Sequence, residues 1–81
     1  MEDKNTHFPQ YRKLSNNRCF YEILDDRNFR EIQIIGTRAI LYRIKADKYP
    51  EMLRIMDMIS LKEPYLMSYA EEFKKFEPSN P

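Results

Sequence analysis

One glycine, one cysteine, one histidine and no tryptophan occur among the 81 residues of this chain, and each scarcity closes off a class of chemistry. A phosphate-cradling loop needs several glycines so that backbone N–H groups can close around the anion, and Gly36 alone cannot build one. The lone Cys19 has no partner for an internal disulfide, and with His7 as the only imidazole there is no Cys/His set for a metal. A Ser-His-Asp or Cys-His arrangement would have to be built on His7, which lies in a stretch without periodicity. Asp25 and Asp26 are neighbours in a turn-favouring run, so their carboxylates point apart, and no third oxygen ligand follows at a fixed spacing. No enzyme activity, cofactor or metal is therefore expected, and Cys19 reads as a core thiol.

Long apolar runs are also missing. Nothing approaches the roughly 18 uninterrupted apolar residues of a membrane span, and Met1-Glu2-Asp3-Lys4-Asn5-Thr6-His7 lacks the apolar stretch of a secretory leader. Together with the unpaired cysteine, these features predict a cytoplasmic protein without membrane contact. The formal net charge of +1 gives no global pull toward nucleic acid or membrane. It is unevenly spread: residues 11–48 hold nine Lys/Arg against five Asp/Glu, and residues 49–81 hold four against six.

What is present suffices for a core. Hydrophobic residues make up 42% of the chain, eleven of them Phe or Tyr, which is too apolar for a disordered segment. A chain this short buries only about 60% of the surface that its unfolded form exposes, so packing must be good or a partner must help. Residues 1–12 are non-periodic, contain Pro9 and read as a flexible arm. Residues 13–76 read as a single domain, and 77–81 as a frayed tail.

Within the domain, Arg18-Cys19-Phe20-Tyr21-Glu22-Ile23-Leu24 is rich in strand formers and is closed by the turn run Asp25-Asp26-Arg27-Asn28. Phe29–Ile35 and Arg38–Lys45 alternate with period two around Gly36-Thr37, the signature of a two-residue hairpin. The period then becomes helical. Asp47 is the expected N-cap and Pro50 falls in the first turn, with a stripe of Tyr49, Met52, Leu53, Met56 and Ile59, widened on one flank by Ile55, running to about Leu61. A second helix is predicted from Tyr65 to Phe76, after Pro64. The expected fold is α+β: a three-stranded antiparallel meander followed by two amphipathic helices packed on one of its faces. No motif in the chain singles out a known family, and this element order carries no function of its own.

If both connections are tight turns, the register assigns each strand residue to a face. One face carries Phe20, Leu24, Phe29, Ile35, Ile40, Tyr42 and Ile44, broken by Glu22, Glu31, Gln33 and Arg38. The other carries Cys19, Tyr21, Ile23, Ile32, Ile34, Ala39 and Leu41. The second face is unbroken at its centre and is the one expected under the helices. On the first, Glu22 would stand opposite Glu31, and two adjacent carboxylates resist burial, so this face is expected to meet water. A bulge or a longer loop in either connection would move one strand's residues to the opposite face.

The apolar residues of that outward face then define the expected function: a small non-catalytic protein-binding module of inhibitor, antitoxin, adaptor or mobile-element type, binding another protein or a second copy of itself as a homodimer. Phe20, Glu22, Phe29, Ile40 and Tyr42 are the expected partner-binding residues, joined by Met58, which projects away from the helix stripe. Phe20→Ser or Tyr42→Ser should then reduce association and leave the domain folded. The alternative is a single-stranded nucleic-acid binder that holds phosphates with Arg30, Arg38, Arg43 and Lys45 and stacks bases on Tyr42.

Overall fold

The structure, a computed structural model, describes residues 7–78. They form a five-stranded antiparallel sheet with two helices, an α+β architecture with more strands than the meander expected from sequence. The strands are β1 (Gln10–Leu14), β2 (Cys19–Ile23), β3 (Asn28–Ile35), β4 (Arg38–Lys45) and β5 (Tyr65–Met67), with α1 (Tyr49–Ile59) between β4 and β5 and α2 (Ala70–Phe76) at the end. Their order across the sheet is β4-β3-β2-β1-β5.

Both additional strands come from segments that lack a full strand signal. Gln10–Leu14 overlaps the expected arm, but Tyr11 and Lys13 alternate with Arg12 and Leu14, and Tyr11, Arg12 and Lys13 pair with Glu22, Tyr21 and Phe20 of β2. The remainder of that arm, residues 1–6, lies outside the described residues, as do 79–81 of the expected tail. The second helix begins at Ala70 rather than Tyr65. Pro64 disfavours helical geometry in the residue before it, and Tyr65–Met67 satisfies the open edge of β1 through the pairs Leu14↔Tyr65 and Arg12↔Met67.

The hairpin at Gly36-Thr37 closes as expected, with Ile35 opposite Arg38 and an unbroken ladder to Asn28↔Lys45. Gly36 has φ +61°, the region in which a missing Cβ is an advantage. The β2–β3 turn corrects the expected register. Leu24 N–H donates to the Asn28 carbonyl at 2.9 Å, leaving the three residues Asp25, Asp26 and Arg27 in the loop where four were expected. The Asp25 carboxylate holds this shorter turn by accepting from the Arg27 N–H at 2.8 Å and the Asn28 amide at 3.0 Å. One residue less in the loop slips β2 by one position and turns all its side chains over. Tyr21 now stands opposite Glu31, and Glu22 opposite Arg30.

The slip places apolar residues of β2 on both faces, and each face takes one helix rather than both helices sharing one. On the first face Tyr21, Ile23 and Phe29 pack with Ala46 and with Ile55 and Met58 of α1. On the second, Phe20 and Ile32 pack with Phe73 of α2, and Phe76 stacks on Phe20 at 4.5 Å between ring centroids. The buried line of α1 is Ile55 and Met58 flanked by Met52 and Ile59, while Tyr49, Leu53 and Met56 of the expected stripe are exposed. Both lines have helical spacing. Arg54 selects between them by reaching Glu31 while lying over the Phe29 ring at 5.2 Å. Lys48, not Asp47, occupies the N-cap.

Candidate protein-interaction surface

Three of the six residues expected to meet a partner are core residues. Phe20 and Phe29 are each 1% exposed and Met58 is fully buried, so none of them offers a surface. The one-residue slip of β2 accounts for Phe20, and the cover of α1 accounts for Phe29. Met58 lies inside because the helix is rotated from its expected stripe toward Ile55. Glu22 is buried as well, but satisfied. It accepts from the Tyr11 hydroxyl at 2.9 Å and from Arg30 Nε at 2.6 Å. The expected Glu22–Glu31 repulsion does not arise, because the two carboxylates lie on opposite faces.

Each face thus carries one buried carboxylate held by a tyrosine and an arginine. Tyr11, Glu22 and Arg30 form one set, with Arg30 also reaching Glu77 at 3.0 Å and lying over the Phe73 ring. In the other set, Glu31 accepts from Tyr21 at 3.0 Å and from Arg54 at 3.2 Å. Burial, reinforced by Glu22, pushes the Tyr11 hydroxyl up to about 12, and burial beside Glu31 pushes Tyr21 higher still. Burial also raises the Cys19 thiol. These groups are arranged to keep their protons, so what they supply is a fixed register between strands and helices. Among the described residues no three His, Cys, Asp or Glu side chains converge as metal ligands, and no helix is long and apolar enough to cross a membrane.

The exposed candidates collect on β4. It is an edge strand, and α1 leaves its outer half uncovered. There Tyr42 is 42% exposed and Ile40 half-buried, and Ile35 on the adjoining end of β3 is 53% exposed. All three share the face of Tyr21 and Glu31, since Tyr42 pairs with Glu31 and Ile40 with Gln33. Arg38 is on this face too. Arg43 and Lys45 point to the other, and none of the three cations makes an ion pair among the described residues. Arg30, the fourth expected phosphate ligand, is already bound by Glu22 and Glu77. At the base of β4 an open groove of about 300 Å³ runs between Leu24, Asp25, Ile44 and Lys45.

Ile35 and the free edge of β4 escaped the sequence reading as functional features. Their signal was available: the last strand of a meander has a neighbour on one side only. The chain matches no protein-family model, and neither curated proteins nor solved structures return a match.

Proposed function

We propose that this chain is a small non-catalytic protein-binding module whose docking surface is the outer half of the β3–β4 hairpin. The observation that carries this reading is the joint exposure of Ile35 and Tyr42 beside Ile40, on the part of the sheet that α1 leaves open. Contiguous apolar surface on a small domain costs solubility unless a partner covers it. The nucleic-acid alternative draws less support. Arg43 and Lys45 face away from Tyr42 and Arg30 is neutralised, which leaves Arg38 alone of the four expected phosphate ligands on the stacking face. The same reading places the protein in the cytoplasm, where the unpaired Cys19 stays reduced.

The test is affinity capture from the native host with three full-length baits: the natural chain, Tyr42→Ser, and Lys62→Ser as a surface control. Proteins retained by the first and third and lost by the second, as read by mass spectrometry, support the reading. Identical retention by all three overturns it. Retention abolished by nuclease treatment would transfer the surface to the nucleic-acid alternative.

A further inference from the structure

The β4 backbone presents an unused ladder. Asn28 accepts a hydrogen bond from Leu24, and Ile34 N–H donates to Arg18, so even-numbered residues of β3 direct their amides toward β2. By the alternation of an antiparallel ladder, odd-numbered residues of β3 bond β4. Their partners there are Arg38, Ile40, Tyr42 and Ile44. It follows that the N–H groups of Ala39, Leu41, Arg43 and Lys45 and the carbonyls of Ala39, Leu41 and Arg43 point outward from the sheet. Among the described residues no strand takes them up. The edge is eight residues long, without proline or bulge, whereas the opposite edge, β5, has three residues. Proteins blunt such an edge or use it, and the charges of Arg38, Arg43 and Lys45 blunt this one only against strands that are not acidic.

We propose that β4 is a strand-addition site for an extended acidic segment of another protein. This rests on the protein-binding reading above and adds the chemistry of the partner. The charge of the strand decides the occupant. Arg38, Arg43 and Lys45 are exposed with no acid between them, so two β4 strands paired around a two-fold axis would gather six cations and no anion. A second copy is therefore disfavoured, and a strand bearing carboxylates is favoured. The faces dictate its pattern. Residues opposite Arg43 and Lys45 should be acidic, and those opposite Ile40, Tyr42 and Ile44 apolar, which is an alternation of acidic and apolar residues along an extended chain.

The probe is a fluorescein-labelled octapeptide of alternating glutamate and valine, with a lysine–valine octapeptide as control, titrated into the full chain at low salt. Amide hydrogen exchange, measured with the unlabelled peptide, reports where it binds. The expected result is saturable binding of the acidic peptide alone, with protection of the Ala39, Leu41, Arg43 and Lys45 amides by about tenfold or more. Arg43→Glu, an exposed substitution that leaves the ladder intact, should weaken binding by about tenfold or more. No binding at about 1 mM peptide, or binding without protection of those amides, overturns strand addition. If Ile40 and Tyr42 resonances shift while the edge amides stay unprotected, the docking surface survives and only the edge proposal fails. Protection that rises with protein concentration alone, together with a dimer mass by light scattering, would give the edge to a second copy and overturn the acidic partner.

Discussion

Tyr21 and Glu31 stand directly opposite each other on β2 and β3, and the Tyr21 hydroxyl donates to Glu31 Oε2 at 3.0 Å beneath Arg54. This contact records the register that the short β2–β3 turn imposes. Its counterpart on the other face is Glu22 with Tyr11 and Arg30. Had the two glutamates faced each other, Glu22→Gln would relieve repulsion and stabilise the fold. In the register found here the same substitution removes a charge-assisted bond to Arg30, and a loss of about 1–3 kcal/mol is expected in urea unfolding. Tyr21→Phe should cost about 1 kcal/mol, and a double-mutant cycle with Glu31→Gln should show coupling of similar size.

Alkaline pH provides a second reading of the same contacts. In the unfolded chain both tyrosines ionise near 10, whereas in the fold burial and Glu22 hold Tyr11 to about 12 and burial beside Glu31 holds Tyr21 higher. Above about pH 10 the unfolded state therefore loses protons that the folded state keeps. The stabilisation is complete below that pH and declines between about 10 and 12. Circular dichroism with urea at stepped pH should show the midpoint falling across this window, and Tyr11→Phe should flatten part of the fall. A midpoint constant from pH 9 to 12 would contradict the assignment.

The sequence made some of this legible and concealed the rest for identifiable reasons. The β3–β4 hairpin could be read because Gly36 marks its tip and Phe29–Ile35 alternates without a break. The Asp25–Asn28 turn was recognised as a turn, but composition does not count loop residues, and one residue decides which face Phe20 occupies. Strand β1 was hidden because its buried residue is Arg12, which no hydrophobic pattern flags. Strand β5 was hidden because Tyr65, Leu66 and Tyr69 also fit a helical period. On α1 two apolar lines compete, and the choice between them comes from Arg54 and Glu31, a tertiary pairing. Ile40 and Tyr42 share a face as expected because the β3–β4 register follows from the glycine turn.

Arg12 is 5% exposed, with no carboxylate of the described residues in ion-pair range. Its Nε donates to the Met58 carbonyl at 2.7 Å, and its other nitrogens reach Tyr11 O and Gln10 Oε1. The guanidinium thus caps the negative end of α1 and ties that helix to β1. Arg12→Ala should cost about 2–4 kcal/mol by removing both the cap and the packed stem. Arg12→Met, which keeps the stem, should cost less. Equal costs for the two would show that the charge is what matters.

Of the three described residues in the left-handed backbone region, Asn17, Gly36 and Leu61, the last two should respond oppositely to substitution. Leu61 follows α1 at φ +60°, where Leu61 N–H bonds Met58 O and Lys62 N–H bonds Asp57 O, the hydrogen-bond pattern of a helix end that favours glycine. Its side chain is 42% exposed, and relief of the backbone strain should outweigh the partial packing lost, so Leu61→Gly should gain up to about 0.5 kcal/mol. At Gly36 a Cβ would meet nothing within 4 Å. Gly36→Ala should therefore lose about 1 kcal/mol through backbone strain alone. Thermal melts of the two variants should move in opposite directions.

The proposed surface depends on separating side chains that hold the fold from those that meet a partner, and two aromatic residues make the separation measurable. Phe20 is buried against Phe76 and Phe73, so Phe20→Ser removes a stacked ring and buries a hydroxyl, at an expected cost of about 3–5 kcal/mol. For a domain of this size that consumes most of the stability available, and substantial unfolding at 37 °C is expected by circular dichroism. Tyr42 has its ring partly in water on an uncovered strand, and Tyr42→Ser should cost about 1 kcal/mol or less, a β-propensity effect with little packing lost. The two variants therefore divide stability from association: Phe20→Ser should lose both, and Tyr42→Ser only association. A Tyr42→Ser protein that unfolds as readily as Phe20→Ser would return Tyr42 to the core and remove the surface on which the proposed function rests.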